Sequence, residues 1–422
     1  MALLLKNATY INADTLEFTK TDIFVDEGLS GAVRFVEKDN PSINPDETID
    51  CKGKFVTHSF AVGHHHAYSA LSRGMPAPQK NPENFLEILQ YIWWKLDKAL
   101  DKDMVMASAY ATAMACAKAG STFVIDHHAS PNFIDGSLQT LADAFDKVGI
   151  SHLLCYEISD RDGKERAEQG LAETAAYLEN HQGLVGLHAS FTVDDSTMTR
   201  AADLVEKFDS GIHIHVAEDQ EDENTSIIKY HRWVVDRLNE FGLLNTSKTI
   251  LAHCLYVDDF ERKQMEDSPV WVVENMESNL NNKVGYFNSK GLSDKIMLGT
   301  DGMHSDMLRS AQATFFAGQA HDNIDYAETY LRFRNVHRYL KENKFSGDGD
   351  NNLVVLDYNT PTEMNSNNFY GHFIFGLNTT HVQHVISNGK LIVKDRIIQN
   401  VDEHAVLDFT KEQANRLWEK LR

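Results

Sequence analysis

Cysteine is scarce in this sequence of 422 residues, which has only Cys51, Cys116, Cys155 and Cys254. Their wide spacing excludes a zinc knuckle, and four thiols are too few to stabilise so long a chain by disulfides, so we expect reduced cysteines. Long apolar runs are also absent: no segment approaches the roughly 20 residues that a membrane span needs, and only a few apolar residues precede Lys6. These absences predict a cytoplasmic protein without a membrane partner.

Positively charged residues are also scarce. The chain has 40 lysines and arginines against 62 aspartates and glutamates, which gives a formal net charge of −22. Such an acidic surface repels phosphate backbones, so nucleic acid is not an expected partner. The other proportions are ordinary for a globular protein, with 42% hydrophobic and 24% charged residues, and the length suits one large and one small domain.

The hydropathy pattern divides the chain into three parts. Residues before 55 form short β-like runs, and such runs return after about residue 350, where Asn388-Gly389 is a strong hairpin turn. We predict that residues 1–54 and 350–422 pair into one small β-sandwich module, which ends in a helix at Lys411–Leu421.

Residues 55–349 alternate apolar strands with amphipathic helices such as Glu165–Glu179 and Ile227–Phe241. Eight βα units of this kind favour a (β/α)8 barrel over an open sheet, so the predicted fold class is α/β. The acidic run 218–223 is interpreted as a solvated helix start, apart from Glu218. The predicted strands are Phe55–Val62, Ser121–His127, Ser151–Glu157, Leu184–Ala189, Gly211–Ala217, Thr249–Leu255, Val270–Asn275 and Lys295–Thr300.

Histidines are abundant, with 20 in the chain, and several stand at predicted strand ends. The first strand ends in His64-His65-His66, where alternate residues point the same way, so His64 and His66 face one site. His215 near the end of the fifth strand and Asp301 at the tip of the eighth complete a set of three imidazoles and one carboxylate. Such a set suits Zn²⁺ or Fe²⁺, with one position open for water.

A strand histidine taken alone is more often a hydrogen-bonded core residue than a metal ligand. That structural interpretation is kept for His65, which points away from the site, and for His213, which lies deeper in its strand. For His127, His128 and His304, a place in the pocket lining and a place on the surface are equally expected.

Segments spread over nearly the whole chain resemble, in order, the amidohydrolase superfamily, and in particular the aminohydrolases related to triazine hydrolases and guanine deaminase. The segments are VGHHHAYSALSRG, IWWKLDKALD, STFVIDHHASP, GLHASFT, HIHVAED, LAHC, NMESNLNNKVG, LGTDGMHSD, NNFYGHFIFG and VISNGKLIV. The resemblance implies a ligand set of His64, His66, His215 and Asp301, and a catalytic pair of Glu218 and His253.

The fourth strand end, HAS at 188–190, lacks the modified Lys that bridges two ions in the family's two-metal members. One divalent ion is therefore implied, Zn²⁺ in the first place and Fe²⁺ as the alternative. In the implied mechanism Asp301 accepts a proton from metal-activated water, and His253 polarises the departing or carbonyl heteroatom. Glu218 protonates a ring nitrogen and passes that proton to the leaving group.

The implied reaction is deamination of an amino-substituted N-heterocycle, a purine- or pterin-like free base. The same residues also fit ring opening of a cyclic amide and hydrolytic dechlorination, whereas a broken ligand set would favour a non-catalytic barrel scaffold. The predicted substrate contacts are His188, His127, His128 and His304. No Arg or Lys occurs among the strand-tip residues, so a small uncharged heterocycle is expected rather than a nucleotide. A homo-oligomer, most simply a dimer, is the expected assembly.

Overall fold

Strands form both ends of the chain and the core between them. The computed structural model describes residues 2–37 and 44–422. The strands, in chain order, are β1 (Ala2–Ile11), β2 (Phe18–Asp26), β3 (Val33–Val36), β4 (Glu47–Asp50), β5 (Phe55–His58), β6 (Phe60–His65), β7 (Ser121–His128), β8 (Ser151–Tyr156), β9 (Val185–Ala189), β10 (Ile212–Val216), β11 (Ile250–His253), β12 (Trp271–Glu274), β13 (Ile296–Leu298), β14 (Leu353–Leu356), β15 (Val382–Ser387), β16 (Lys390–Lys394) and β17 (Ile397–Ile398). They are arranged in one mixed sheet and two parallel sheets.

The two chain ends meet in the mixed sheet, which has nine strands. β5 is the meeting point, because it pairs in parallel with β1 and antiparallel with β14, where His58 lies opposite Leu353. The turn at Asn388-Gly389 joins β15 to β16 as a hairpin. Strands from both chain ends therefore share one continuous hydrogen-bonded sheet, whereas the sequence pattern predicts a sandwich.

A break at Ser59 separates this sheet from the rest of the chain. The pattern predicts a single strand over Phe55–Val62, but the structure ends β5 at His58 and starts β6 at Phe60. Arg334 donates to the carbonyl oxygens of His58 and Ser59, at 3.3 and 2.9 Å, and so holds the chain at the break. β5 consequently stays in the terminal sheet while β6 begins the parallel strands.

β6 to β13 are eight parallel strands, and all but the first lie at the positions that the sequence predicts. β6, β7 and β8 form a three-stranded sheet, and β9 to β13 form a five-stranded sheet. β7, β9, β10, β11 and β12 are buried along their whole length. Such continuous burial is typical of parallel sheets with both faces covered.

Backbone hydrogen bonds also join the edges of the two parallel sheets. At one gap the segment that follows β8 is bonded to β9. At the other gap the backbone N–H groups of Thr300 and Asp301 donate to His64 O, at 3.0 and 3.1 Å. A Cβ on Gly63 would lie 2.6 Å from Leu298 O, so only glycine allows this close approach. The contacts at both gaps are parallel, and the carboxyl ends of all eight strands open on one side.

Helices cover the parallel strands, and two of them depart from the predicted bounds. The helices are α1 (Phe85–Ile88), α2 (Trp94–Ala99), α3 (Lys102–Lys118), α4 (Ser137–Val148), α5 (Lys164–Leu178), α6 (Asp195–Lys207), α7 (Gln220–Tyr230), α8 (Val234–Glu240), α9 (Asp259–Glu266), α10 (Met276–Asn282), α11 (Met307–His321), α12 (Tyr326–Glu342), α13 (Phe369–Phe375) and α14 (Glu403–Lys420). The predicted helix Ile227–Phe241 is two helices, since His231 takes a left-handed backbone (φ 57°) that ends α7. α14 begins at Glu403, well before the predicted Lys411, because Asp402 caps its first backbone N–H groups. Within the described residues no helix combines the length and the apolarity that crossing a bilayer requires.

Two residues of the acidic run after β10 are buried, which contradicts the prediction of a solvated helix start. The Asp222 carboxylate accepts from the backbone N–H groups of Phe191 and Ala217, at 3.0 and 2.9 Å. Glu223, with no exposed surface, accepts from the backbone N–H of Val234 at 3.2 Å. These carboxylates replace water as partners of loop N–H groups that would otherwise be buried without acceptors.

The buried Glu223 predicts a stability that depends on pH. Burial, and then the neighbouring Glu261 carboxylate, raise the pKa of Glu223 from 4.5 to about 9. The folded chain therefore keeps a proton that the unfolded chain loses above its ordinary pKa, so the free energy of unfolding falls as pH rises towards 9. Between pH 6 and pH 9 we expect a loss of roughly 1–3 kcal/mol, and Glu223→Gln should flatten this slope. Denaturation midpoints across this range test it, with the exposed Glu240→Gln as control; equal slopes in both variants would contradict the prediction.

Candidate metal and catalytic centre

Four imidazoles and one carboxylate converge at the carboxyl ends of the parallel strands. His66 Nε2 lies 3.1 Å from both His215 Nε2 and Asp301 Oδ1. His64 Nε2 is 3.6 Å and His253 Nε2 is 3.7 Å from the Asp301 carboxylate. The structure thus brings together the residues that the sequence places at the ends of the first, fifth, sixth and eighth strands.

Hydrogen bonds on the far side of each ring orient these imidazoles. His66 Nδ1 and His215 Nδ1 donate to backbone carbonyls at 2.7 and 2.8 Å. His64 Nδ1 bonds to His213 Nε2 at 2.8 Å, so His213 keeps the structural role that the sequence predicts. A neutral imidazole that is protonated at Nδ1 carries its lone pair at Nε2. The Nε2 atoms of the three rings therefore face a common point, as those of metal-ligating histidines do.

Two buried nitrogen atoms in this group, His64 Nε2 and His253 Nε2, have no hydrogen-bond partner. Buried polar atoms without partners are rare, so a group of them beside a carboxylate suits a divalent metal ion. The backbone is also left-handed at three of these strand ends, with φ of 73° at His253, 49° at Asp301 and 44° at Ala217. Strained non-glycine backbone of this kind clusters at functional sites.

Asp301 sets the charge of the centre. Burial raises the pKa of Asp301, but the neighbouring imidazoles of His64 and His66 outweigh it and hold that pKa well below its usual range. Burial lowers the pKa of His64 to about 3. Burial also opposes protonation of His66, yet Asp301 raises the pKa of His66 to about 9. The centre consequently contains an ionised carboxylate that attracts cations.

Glu218 and His253 lie side by side against this centre. Glu218 Oε2 is 3.6 Å from His253 Nε2. On the other side of the ring, His253 Nδ1 donates to Asn279 Oδ1 at 2.8 Å, which fixes its orientation. Burial raises the pKa of Glu218 to about 7, although His253 opposes the shift. A carboxyl group with such a pKa can accept and release a proton near neutral pH.

A cavity opens onto the centre, and His188 is the one predicted substrate contact that lines it in the described part of the chain. His127 lies beneath the cavity, where its Nε2 donates to two backbone carbonyls at 3.1 Å. His128 is buried against a serine hydroxyl at 2.8 Å. His304 is paired with Glu277 outside the cavity lining. Burial lowers the pKa of His188 to about 4, so its ring is neutral.

The cavity has further wall residues that the strand-end histidines do not identify. Its apolar side includes Phe85, Leu89, Trp93, Trp94 and Phe191, and its polar side includes Glu157 and Arg161. Arg161, in the loop after β8, adds a cation to a wall whose strand-tip residues include no Arg or Lys. It forms an ion pair with Asp97 and lies 3.6 Å from Glu157, so its charge is already compensated.

Glu157 is a second ionised carboxylate beside the centre. Burial raises its pKa, but the neighbouring side chains of His188, His127 and Arg161 outweigh burial and hold that pKa well below its usual range. Glu157 directly follows β8, so the rule that places chemistry at the carboxyl ends of barrel strands could have identified it. Arg161 lies further along the loop and carries no comparable signal.

The match to a family model and the similarity to solved structures agree with this arrangement. Residues 59–343 match the model of the amidohydrolase family. A relative from Thermococcus sibiricus, named 5-methylthioadenosine/S-adenosylhomocysteine deaminase, is 24% identical over 93% of this chain and 94% of its own length. A zinc-bound adenosine deaminase from Xanthomonas campestris is 20% identical, covers 98% of both chains and superposes with a TM-score of 0.82.

A zinc complex of the atrazine chlorohydrolase from Arthrobacter aurescens is equally similar in fold. It is 17% identical, has a TM-score of 0.82, and the match covers 98% of this chain and 100% of that one. At these identities the superpositions establish the fold. The family match spans residues 59–343, which include the whole centre, and on that evidence the chain belongs to the amidohydrolase family and is a hydrolase.

Proposed function

We propose that this hydrolase removes the amino group of an amino-substituted N-heterocycle, a purine- or pterin-like ring. The observation that carries the proposal is a cluster of His64, His66, His215 and Asp301 next to His253, which lies 3.6 Å from the proton-handling Glu218. The similar proteins named above include deaminases of adenine-containing compounds, which supports the same reaction type.

We infer that the two parallel sheets form one (β/α)8 barrel within residues 55–349, and that 1–54 and 350–422 form the second module, which also takes in β5. The backbone hydrogen bonds at both gaps between the sheets support this closure. A closed barrel also accounts for the position of the site, because a ring of parallel strands brings the carboxyl ends of all its strands around one axis.

The ligands that we assign are His64, His66, His215 and Asp301, which would hold one divalent ion. When bound, such an ion lowers the pKa of a coordinated water towards neutrality. Zn²⁺ is our first assignment, because three imidazoles and one carboxylate suit it and two similar solved proteins contain zinc. Fe²⁺ remains the alternative. No Lys lines the described cavity, which supports a single ion.

The proton route follows from the contacts. Asp301, 3.7 Å from His253, accepts the proton of the attacking water. His253, held through Nδ1 by Asn279, directs Nε2 at the heteroatom on which charge develops. Glu218 donates its proton to a ring nitrogen, which makes the neighbouring carbon more electrophilic. It then takes up the proton of the added hydroxyl group and delivers it to the departing amine, and the proton held by Asp301 restores Glu218. Ammonia leaves and the ring keeps an oxygen in its place.

Hydrolytic dechlorination is the second candidate, because one of the similar structures is an atrazine chlorohydrolase. Opening of a cyclic amide would use the same three residues. A panel of aminopurines, pterins, chlorotriazines and hydantoins, assayed in parallel for ammonia, chloride and ring opening, separates these reactions. We expect ammonia release from an amino-heterocycle. If chloride release were the only reaction, the protein would be assigned as a dechlorinating hydrolase. If ring opening were the only reaction, it would be assigned as a cyclic amide hydrolase. We also propose a homodimer, which light scattering coupled to gel filtration tests.

A further inference from the structure

One side of the cavity is formed by a short helical segment, residues 85–99, which we call the roof. It consists of α1, a π-helical turn at Leu89–Trp93, and α2. π-Helical turns are uncommon and occur frequently at functional sites. A ligand held at the centre would lie against the roof, because the cavity is lined by His66 and Asp301 together with five roof side chains, Phe85, Leu86, Leu89, Trp93 and Trp94.

The first half of the roof packs in a small hydrophobic cluster of its own. Phe85 and Leu89 form that cluster with Val284, and Trp93 packs at its edge. The second half reaches the main core through Leu96. Segments with few buried apolar contacts open at a low cost in free energy, and active-site lids are drawn from such segments. The roof therefore needs further contacts to stay closed.

The last helix, α14, binds the chain on both sides of the roof. Before the roof, Trp418 Nε1 donates to the carbonyl oxygen of Leu71 at 2.9 Å, in the 3-10 helix Ala67–Ser72 that follows β6. At the end of the roof, Lys420 Nζ donates to the carbonyl oxygen of Ala99 at 2.9 Å. Trp418 and Lys420 are two residues apart, so a single turn of α14 connects the two ends of the segment that carries the roof.

Asp101 strengthens the second of these attachments. Its Oδ2 accepts from Arg416 at 2.8 Å and from Lys420 at 3.0 Å. Its Oδ1 caps α3 by accepting from the backbone N–H of Met104 at 3.1 Å. Leu417 has no exposed surface, so α14 is itself fixed in the core. The end of the roof is consequently attached to two helices.

We propose that Arg416, Trp418 and Lys420 are positioning residues that keep the roof closed over the cavity and so set how readily a ligand enters and leaves. None of these three side chains lines the cavity. They act through the backbone of Leu71 and Ala99, so their loss leaves the assigned metal ligands and the proton route in place. This role does not depend on which reaction the protein catalyses, and only its kinetic test rests on the proposed function.

Hydrogen exchange of the whole zinc-loaded protein, measured by mass spectrometry, tests the roof directly. In the triple variant Arg416→Met, Trp418→Phe, Lys420→Met the side chains keep most of their apolar surface but lose their hydrogen-bond donors. We expect the amides of residues 85–99 to exchange at least about 10-fold faster, while those of β7 exchange at the normal rate. Unchanged exchange in the roof would overturn the proposal.

The matched control makes the same kinds of change elsewhere. Lys411→Met alters another lysine of α14, which pairs with Asp408 of the same helix, and Trp233→Phe alters an indole outside the cavity lining. Together they should leave exchange in the roof unchanged, and a rise equal to that of the triple variant would contradict the role of α14.

Single changes at Lys420 cover the case in which the triple variant loses global stability, which faster exchange in β7 would reveal. Lys420 is exposed, so its replacement should leave the core intact. Lys420→Met should speed exchange in the roof alone, whereas Lys420→Arg, which keeps the donors, should not. Equal exchange in these two variants would overturn the proposal.

Kinetics of the proposed deamination give a second measurement. A roof that opens more easily retains the ligand less well but leaves the chemical step unaltered. In the triple variant, KM for the amino-heterocycle that is turned over should therefore rise at least about threefold while kcat does not fall. A fall in kcat at unchanged KM would contradict the positioning role. If no heterocycle is turned over, the deaminase assignment fails, and hydrogen exchange still decides the role of α14.

Discussion

Replacing Glu218 with Gln is expected to lower kcat by about 10³- to 10⁴-fold while the metal content stays unchanged. The carboxyl group is buried, lies 3.6 Å from His253 and has a pKa raised to about 7, so it is suited to moving a proton in both directions. A carboxamide has a similar shape but cannot transfer that proton. Steady-state kinetics together with metal analysis measure both effects on one preparation.

Glu206→Gln is the matched control for this experiment. Glu206 is exposed on α6, away from the cavity lining, and the same chemical change there should leave kcat within a factor of about two. If Glu218→Gln retained near-normal turnover, the proton-transfer role would be refuted. If it lost metal as well as activity, Glu218 would be a ligand and the assigned ligand set would be incomplete.

Replacing His66 with Ala should remove both the metal ion and the activity. His66 Nε2 lies 3.1 Å from His215 and from Asp301, so its loss opens the centre of the cluster. We expect one equivalent of divalent metal in the unaltered protein, well under half an equivalent in the variant, and a fall in kcat/KM of at least about 10³-fold. Elemental analysis and kinetics after dialysis against a weak chelator measure these quantities.

His152→Ala is the control for metal loss. His152 is partly buried at the start of β8, at the opposite end of the strand from the centre, and pairs with Asp146. This variant should keep its metal and its turnover. Two equivalents of metal in the active unaltered protein would contradict a single-ion site, and a His66→Ala variant with full metal content would remove His66 from the ligand set.

Local pattern was enough to locate much of this centre. The period of two in a strand places His64 and His66 on one side, and eight apolar runs alternating with helices bring their carboxyl ends together with His215 and Asp301. The match to the amidohydrolase family confirms the resemblance that rests on these segments. Such inferences succeed because strand direction, side-chain alternation and chain order are all written along the sequence.

The hydrogen bonds and ion pairs that position the site residues join distant parts of the chain. Asn279 reaches His253 from α10, and Arg161 reaches Asp97 from a loop that follows another strand. Burial of Asp222 and Glu223 likewise follows from loops that present unpaired N–H groups to them. No periodic pattern in the sequence predicts such contacts.

The sequence by itself therefore determined the order of the parallel strands and the common edge at which His64, His66, His215 and Asp301 lie. Only the tertiary structure decided which histidines line the cavity: His188 does so, while His127 and His128 turn into the interior. The physical reason is that neighbouring histidines at one strand end look alike in sequence. Their roles differ only through the carbonyls, hydroxyls and carboxylates that other segments bring within hydrogen-bonding distance.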